Sequence, residues 1–258
     1  MAELGPRKML INPEIRRRGI YILPNLFTTA ALFAGFFAIV QAMNGRFEAA
    51  AVAIFVAMVF DGLDGRVARL THTQSAFGAE YDSLSDMVSF GAAPALVAYE
   101  WALKDLGKIG WMAAFIYCAG AALRLARFNT HLDVVDKRYF QGLPSPAAAA
   151  LVAGLVWVSL DYGYGGEDVR WLACALTLFA GVTMVSTVPY YSGKDINLKK
   201  SVPFFVVVAF ALAFALVSSY PAGVLFLLFL GYALSGYVMM LWRRGSRRRP
   251  PTTPSPSD

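Results

Sequence analysis

Four aspartates fall in the stretch "DGLDGRVARLTHTQSAFGAEYDSLSD", which runs from Asp61 to Asp86. The fourteen residues before it, "FEAAAVAIFVAMVF", carry one charge. Carboxylates next to lipid are costly, so acidic residues at the end of an apolar segment need a chemical reason to be there. Read as helices, Asp61 and Asp64 are spaced i,i+3, with Gly65 and Ala68 continuing their face. Asp82 and Asp86 are spaced i,i+4, with Gly78 one turn earlier. Two antiparallel helices can then point all four carboxylates at one another. Such anions repel, so either some are protonated or a cation sits among them. Oxygen ligands with no neighbouring His or Cys set suit Mg²⁺ or Mn²⁺ rather than zinc. Gly65 and Gly78 leave room for a bulky ligand near the backbone, and Arg69 offers a planar fork for phosphate. A single aspartate at a membrane surface is often a solvated loop residue or a helix cap. Four at helical spacing on two consecutive apolar segments read as functional.

The composition says what must position them. Of 258 residues, 57% are hydrophobic and 16% charged, and the mean hydropathy is +0.52. A soluble domain is about 45–50% apolar and about 25% charged, so the chain reads as a membrane protein. Cys118 and Cys174 both lie inside apolar runs, which argues against a disulfide framework. The first nineteen residues are too polar for a signal peptide, and the first apolar run lacks a small-residue cleavage site, so that run is expected to persist. A bilayer core about 30 Å thick needs about 20 mostly apolar residues per helix. Eight segments qualify, some loosely: 20–43, 46–66, 83–103, 109–128, 144–161, 169–188, 202–218 and 222–242. The expected fold is therefore all-α and polytopic, with about eight transmembrane helices. Residues 1–19 form an N-terminal segment, 20–242 the membrane domain, and 243–258 a basic, Pro/Ser-rich tail expected to be disordered. There is no internal repeat and no second domain.

Basic residues set the orientation. With both termini in the cytoplasm, nineteen Lys and Arg residues fall on the cytoplasmic side. Four (Arg46, Lys104, Lys108 and Arg170) fall outside. The aspartates then lie at the cytoplasmic face. The net charge of +6 is explained by topology and anionic lipid headgroups, without nucleic acid.

The pattern D61-G-x-D64-G-x-x-A68-R69-x8-G78-x3-D82-x3-D86 resembles the signature of the CDP-alcohol phosphatidyltransferase family at every fixed position. The resemblance implies a membrane enzyme that binds a CDP-linked lipid through two divalent cations, Mg²⁺ or Mn²⁺, and works as a homodimer. It implies that Asp61, Asp64, Asp82 and Asp86 hold the metals and that Asp86 also takes the proton of the attacking hydroxyl. Gly65, Ala68, Arg69, Ser75 and Gly78 would line the CDP-diacylglycerol site. "PNLFT" resembles the family's nucleotide-pocket stretch, which adds Asn25 and Thr28; interhelical hydrogen bonding is their other reading.

The aspartate motif does not choose the acceptor alcohol. "RLARFN" at 124–129 and "GLPSPAAAA" at 142–150 resemble the phosphatidylserine synthase branch, which implies transfer to L-serine. A carboxylate-bearing acceptor needs a cation, and Arg127 and Asn129 are the candidates for serine binding. The same stretches also suit a basic helix end and a proline-led helix start. His72 and His131 are lone histidines and read as interfacial. The competing readings are a sister enzyme acting on glycerol 3-phosphate or an inositol phosphate, an ion-coupled transporter, and a non-catalytic lipid-binding or assembly protein. A transporter would place ionisable residues near mid-bilayer, whereas these cluster at one face. A bacterial inner membrane is the expected location.

Overall fold

A computed structural model describes residues 13–130, 139–191 and 204–246. Residues 1–12 of the N-terminal segment, residues 247–258 of the tail, His131, Lys137, Arg138, Lys194, Lys199 and Lys200 lie outside the described residues. The remainder is a helical bundle. Helices α1 (Pro13–Met43) and α2 (Phe47–Thr71) form a hairpin. Its turn is closed by Asn44, whose side-chain amide donates to Val40 O at 2.8 Å, and by Gly45 at φ +71°. Most of the buried apolar positions along this pair are small, among them Ala34, Ala38 and Ala42 on α1 and Ala50, Ala53 and Ala57 on α2, with Ile54 the large exception. Small side chains let two helix backbones approach, which is how helices associate when lipid provides no hydrophobic drive.

The third helical stretch begins at α3 (Ala76–Asp86), well before the position at which the apolar count places a third span. Glu80, Asp82 and Asp86 interrupt its apolar residues, so a count of apolar residues misses its first turns, yet Ser75 caps them: Gly78 N–H donates to Ser75 Oγ at 3.0 Å. The stretch continues through a widened π segment (Met87–Ala92), α4 (Ala93–Ala98), a second π segment (Tyr99–Leu103) and a tight turn at Lys104–Leu106. Pro94 lies inside it and has no N–H to offer the carbonyl of Phe90. Tyr117, fully buried on α5 (Lys108–Thr130), donates its hydroxyl to that carbonyl at 3.0 Å.

Helix α6 (Ser145–Asp161) is the central element, buried over most of its length against α2, α7 (Gly166–Val185) and α9 (Pro221–Ser246). Helix α8 (Phe204–Ser219) packs on α9. Two short strands, β1 (Tyr139–Gln141) and β2 (Pro189–Tyr191), pair antiparallel and tie the α5–α6 connection to the end of α7. Both cysteines are unpaired.

Large apolar side chains point outward from the bundle, among them Phe33, Phe115, Phe214 and Trp242. That much exposed apolar surface suits lipid, not water. Helical segments within α1, α5, α7 and α9 (Leu23–Met43, Lys108–Thr130, Gly166–Val185, Pro221–Trp242) are long and apolar enough to cross a bilayer. α6 and α8 are shorter, and α2 carries Asp61, Asp64, Arg66 and Arg69 in its last turns.

Helices α5 and α7 cross where Gly120 meets Gly181. A Cβ on Gly120 would stand 2.5 Å from Gly181 O, and one on Gly181 would stand 2.7 Å from Tyr117 Cα. Both obstacles are backbone, so nothing flexible can give way. We expect Gly120→Ala to force the helices apart and to cost about 1–3 kcal/mol. A lowered unfolding midpoint in detergent would show this, and an unchanged midpoint would mean the crossing is looser than described.

Candidate active site

The last turns of α2 carry Asp61, Asp64, Gly65, Ala68 and Arg69, and α3 carries Gly78, Asp82 and Asp86. Only residues 72–75 separate the two helices, so the chain reverses and the two acidic faces meet. His72 makes this reversal possible. It adopts the left-handed conformation at φ +53°, and its N–H closes the end of α2 on Ala68 O. Its role is therefore in the turn.

Helix α1 provides the third wall. Ser85 Oγ donates to Thr28 O at 3.1 Å and Ser89 Oγ to Ala31 O at 3.0 Å, which pins the third helical stretch to α1. Thr28, itself buried, donates its hydroxyl to Asp64 Oδ2 at 2.7 Å. α1 thus fixes the carboxylate of α2 and the backbone path of α3 through the same residue.

The resulting cluster is compact. One ligand oxygen from each of Asp61, Asp64 and Asp82 lies within 4.8 Å of the others. Asp86 interacts with Asp61, and Asp64 with Asp82. Asp64 is buried and the other three are half-buried. Asp82 Oδ1 is buried with no hydrogen-bond partner among the described residues. A buried carboxylate oxygen with no donor is costly. A hard divalent cation bound by several carboxylates removes both that cost and the repulsion, so the donor set fits such an ion.

The other expected site residues form a rim. Gly65, Arg69 and Ser75 are exposed, while Ala68 and Gly78 are half-buried. Arg69 Nε donates to Gly65 O at 2.8 Å, which lays the guanidinium along its own helix. A Cβ on Gly78 would stand 3.1 Å from Ser75 Oγ and 3.5 Å from Asn25 Oδ1, so "PNLFT" does reach this corner. Asn129 joins from α5: its amide donates to Ser83 Oγ at 3.1 Å, beside Asp82. The guanidinium of Arg127 turns instead to the end of α7, donating to Val185 O and, at 3.4 Å, to Ser186 O.

One side chain counted in the sequence only as a topological charge takes a more telling place. Arg124 Nη1 donates to Ser145 Oγ at 2.7 Å, which joins "RLARFN" to "GLPSP". Asp86 acts on Arg124 electrostatically. Arg124 and Arg127 are three apart on one helix, so spacing alone does not separate their roles.

With this geometry in hand, comparison with known proteins is informative. A model of the CDP-alcohol phosphatidyltransferase family matches residues 21–183. Two Helicobacter pylori proteins named CDP-diacylglycerol--serine O-phosphatidyltransferase are similar to this chain. One is 37% identical over 206 residues, covering 80% of this chain and 84% of the relative. The other is 36% identical over 234 residues, covering 90% and 95%. A Mycobacterium leprae protein of the same name is 37% identical over 187 residues, covering 70% of this chain and 62% of its own.

The Thr28–Asp64 contact can be tested without turnover. A hydrogen bond to a charged group is worth about 1.5–3 kcal/mol. Thr28→Val should therefore raise the Mn²⁺ concentration giving half-maximal thermal stabilisation by about tenfold or more. An unchanged midpoint would mean that Thr28 does not orient Asp64 for metal.

Proposed function

The chain belongs to the CDP-alcohol phosphatidyltransferase family, and from that premise we propose that it transfers the phosphatidyl group of CDP-diacylglycerol to L-serine, releasing CMP and forming phosphatidylserine. The serine reading is carried by the relatives bearing that activity in their names, which align with up to 90% of the chain. Membership in an enzyme family leaves the transporter and the non-catalytic readings without support.

Asp61, Asp64, Asp82 and Asp86 are the proposed holders of two divalent cations, Mg²⁺ or Mn²⁺. Cations bound there would neutralise the charge that builds on the pyrophosphate as CMP leaves. The protein's own part is mainly placement. Gly65, Ala68 and Gly78 leave space for the nucleotide, Arg69 and Ser75 meet its phosphates, and Asn25 and Thr28 close the pocket from α1. Asp86 accepts the serine hydroxyl proton as that oxygen bonds to the diacylglycerol-bearing phosphorus. The phosphorus–oxygen bond to CMP breaks with its electron pair going to CMP. Asn129 and Arg127 belong to the acceptor side, Asn129 through its place beside Ser83 and Arg127 by pinning the end of α7.

A lipid substrate agrees with the outer face of this corner. Leu70, Phe77 and Leu84 flank the acidic turns and are all exposed, which provides an apolar surface for acyl chains whose headgroup reaches the carboxylates. The nineteen-to-four division of basic residues supports eight crossings with both termini and the site at the cytoplasmic face, in a bacterial inner membrane. The homodimer rests on the family resemblance alone.

Metal-dependent CMP release from CDP-diacylglycerol with a panel of acceptors tests the reading. Serine should be the fastest by far; equal or faster turnover with glycerol 3-phosphate or an inositol phosphate would remove the serine assignment and leave the family intact.

Asp86→Asn keeps shape and one oxygen but removes charge and basicity. General-base assistance typically contributes about 10²–10⁴-fold, so turnover should fall at least about a hundredfold while CDP-diacylglycerol binding persists. Turnover within a few-fold of the unmutated enzyme would exclude Asp86 as the base.

A further inference from the structure

Burying part of a guanidinium inside a membrane bundle is expensive, and such a group normally has a paired partner or a function. Arg124 lies well inside α5, half-buried, and carries five N–H donors. Nη1 is committed to the hydroxyl of Ser145, a fully buried residue in the first turn of α6. Nε is buried and has no partner among the described residues. Three elements converge on this side chain: α6 through Ser145, α3 through the charge of Asp86, and α9 through Tyr232, whose hydroxyl donates to Tyr191 O on β2.

The relation to Asp86 is informative. The carboxylate and the guanidinium feel each other's charge, yet they form no ion pair; among the described residues the ion pair found is Lys104–Glu100. Ser145 takes up Nη1 and leaves Nε without a partner among the described residues, while Asp86 faces the carboxylate cluster. A group fitting between the two would offer a hydroxyl at the Asp86 end and an anion at the Arg124 end. Serine has that form, with its hydroxyl and its carboxylate on adjacent carbons. A planar guanidinium binds a carboxylate through paired hydrogen bonds. Arg127 is less suited to this, because its donors go to the carbonyls ending α7.

We propose that Arg124, oriented by Ser145, binds the carboxylate of the amino-acid acceptor and thereby sets its hydroxyl against Asp86. This makes Arg124 a specificity-determining residue, and it rests on the serine reading above. Ser145 is a positioning residue that acts through it.

The test uses full-length enzyme in detergent with CDP-diacylglycerol and two acceptors: L-serine, and serinol, in which a hydroxymethyl group replaces the carboxylate. If the unmutated enzyme releases no CMP with serine, the serine reading itself fails, before any variant is made. Given a serine-active enzyme, Arg124→Gln should raise KM for serine at least about thirtyfold, the loss expected for a charge-assisted pair. Its kcat/KM for serinol and its KM for CDP-diacylglycerol should stay within about threefold, well inside that range. Arg124→Lys, which keeps the charge but not the fork, should fall between the two. Ser145→Ala should raise the serine KM several-fold with serinol again unaffected, and it serves as the second variant should Arg124→Gln fail to fold. An unchanged serine KM, or equal losses with serine and serinol, would overturn the proposal while leaving the serine reading standing.

Discussion

Four carboxylates held at neighbouring helix ends repel one another, and the rest of the molecule is arranged around keeping them together. Asp61, Asp64 and Asp82 present oxygens within 4.8 Å of each other, with Asp86 beside Asp61. Among the described residues no salt bridge offsets this; the ion pair found there is elsewhere, between Lys104 and Glu100. A cation bound among them would supply the compensating charge, and without one the fold holds an unfavourable arrangement. Strain of this kind persists only where the surroundings over-determine it.

Those surroundings are the hydrogen bonds from α1 and the close packing of the helices. Thr28 reaches Asp64 with its hydroxyl while its carbonyl accepts from Ser85, so one residue links all three helices of the site. The packing is built from alanines and glycines, from the α1–α2 hairpin to the contact of Gly120 with Gly181. Lipid tails are as apolar as a leucine side chain, so helices in a bilayer gain little by burying large apolar residues. They gain by close backbone approach and by interhelical hydrogen bonds. Many large side chains go outward instead, where lipid receives them, although some, such as Phe90, Tyr117 and Tyr190, are buried.

The bundle also holds two groups of side chains apart. On one side, the ends of α2 and α3 gather the acids with the glycine-lined space beside them. On the other, the ends of α5 and α7 and the start of α6 gather Arg124, Arg127 and Ser145, tied together by the β1–β2 pairing. Asp86 belongs to both, since it neighbours Asp61 and acts on Arg124. The first π segment begins at Met87, directly after it, and widened turns of this sort often sit at functional positions.

Much of the site is legible in the sequence, because it depends on local rules. The helical period alone puts Asp61 with Asp64 and Asp82 with Asp86 on common faces, and a reversal of four residues obliges those faces to meet. Apolar run lengths locate most of the helices, and the imbalance of Lys and Arg supplies an expected orientation. What the period cannot decide is which distant segment a given face will meet. Thr28 and Asp64 are 36 residues apart, and Arg124 and Ser145 are 21 apart. Arg124 and Arg127 look equivalent along the chain, yet one bonds the hydroxyl of Ser145 and the other the carbonyls of Val185 and Ser186. The early start of α3 escapes the apolar count for a related reason: Glu80 and Asp82 break its apolar run, and Ser75 and the contact with α1 support the helix there. Spacing along one helix is a property of the chain, whereas the partner of each face follows from how the helices pack, and only the tertiary structure decides that.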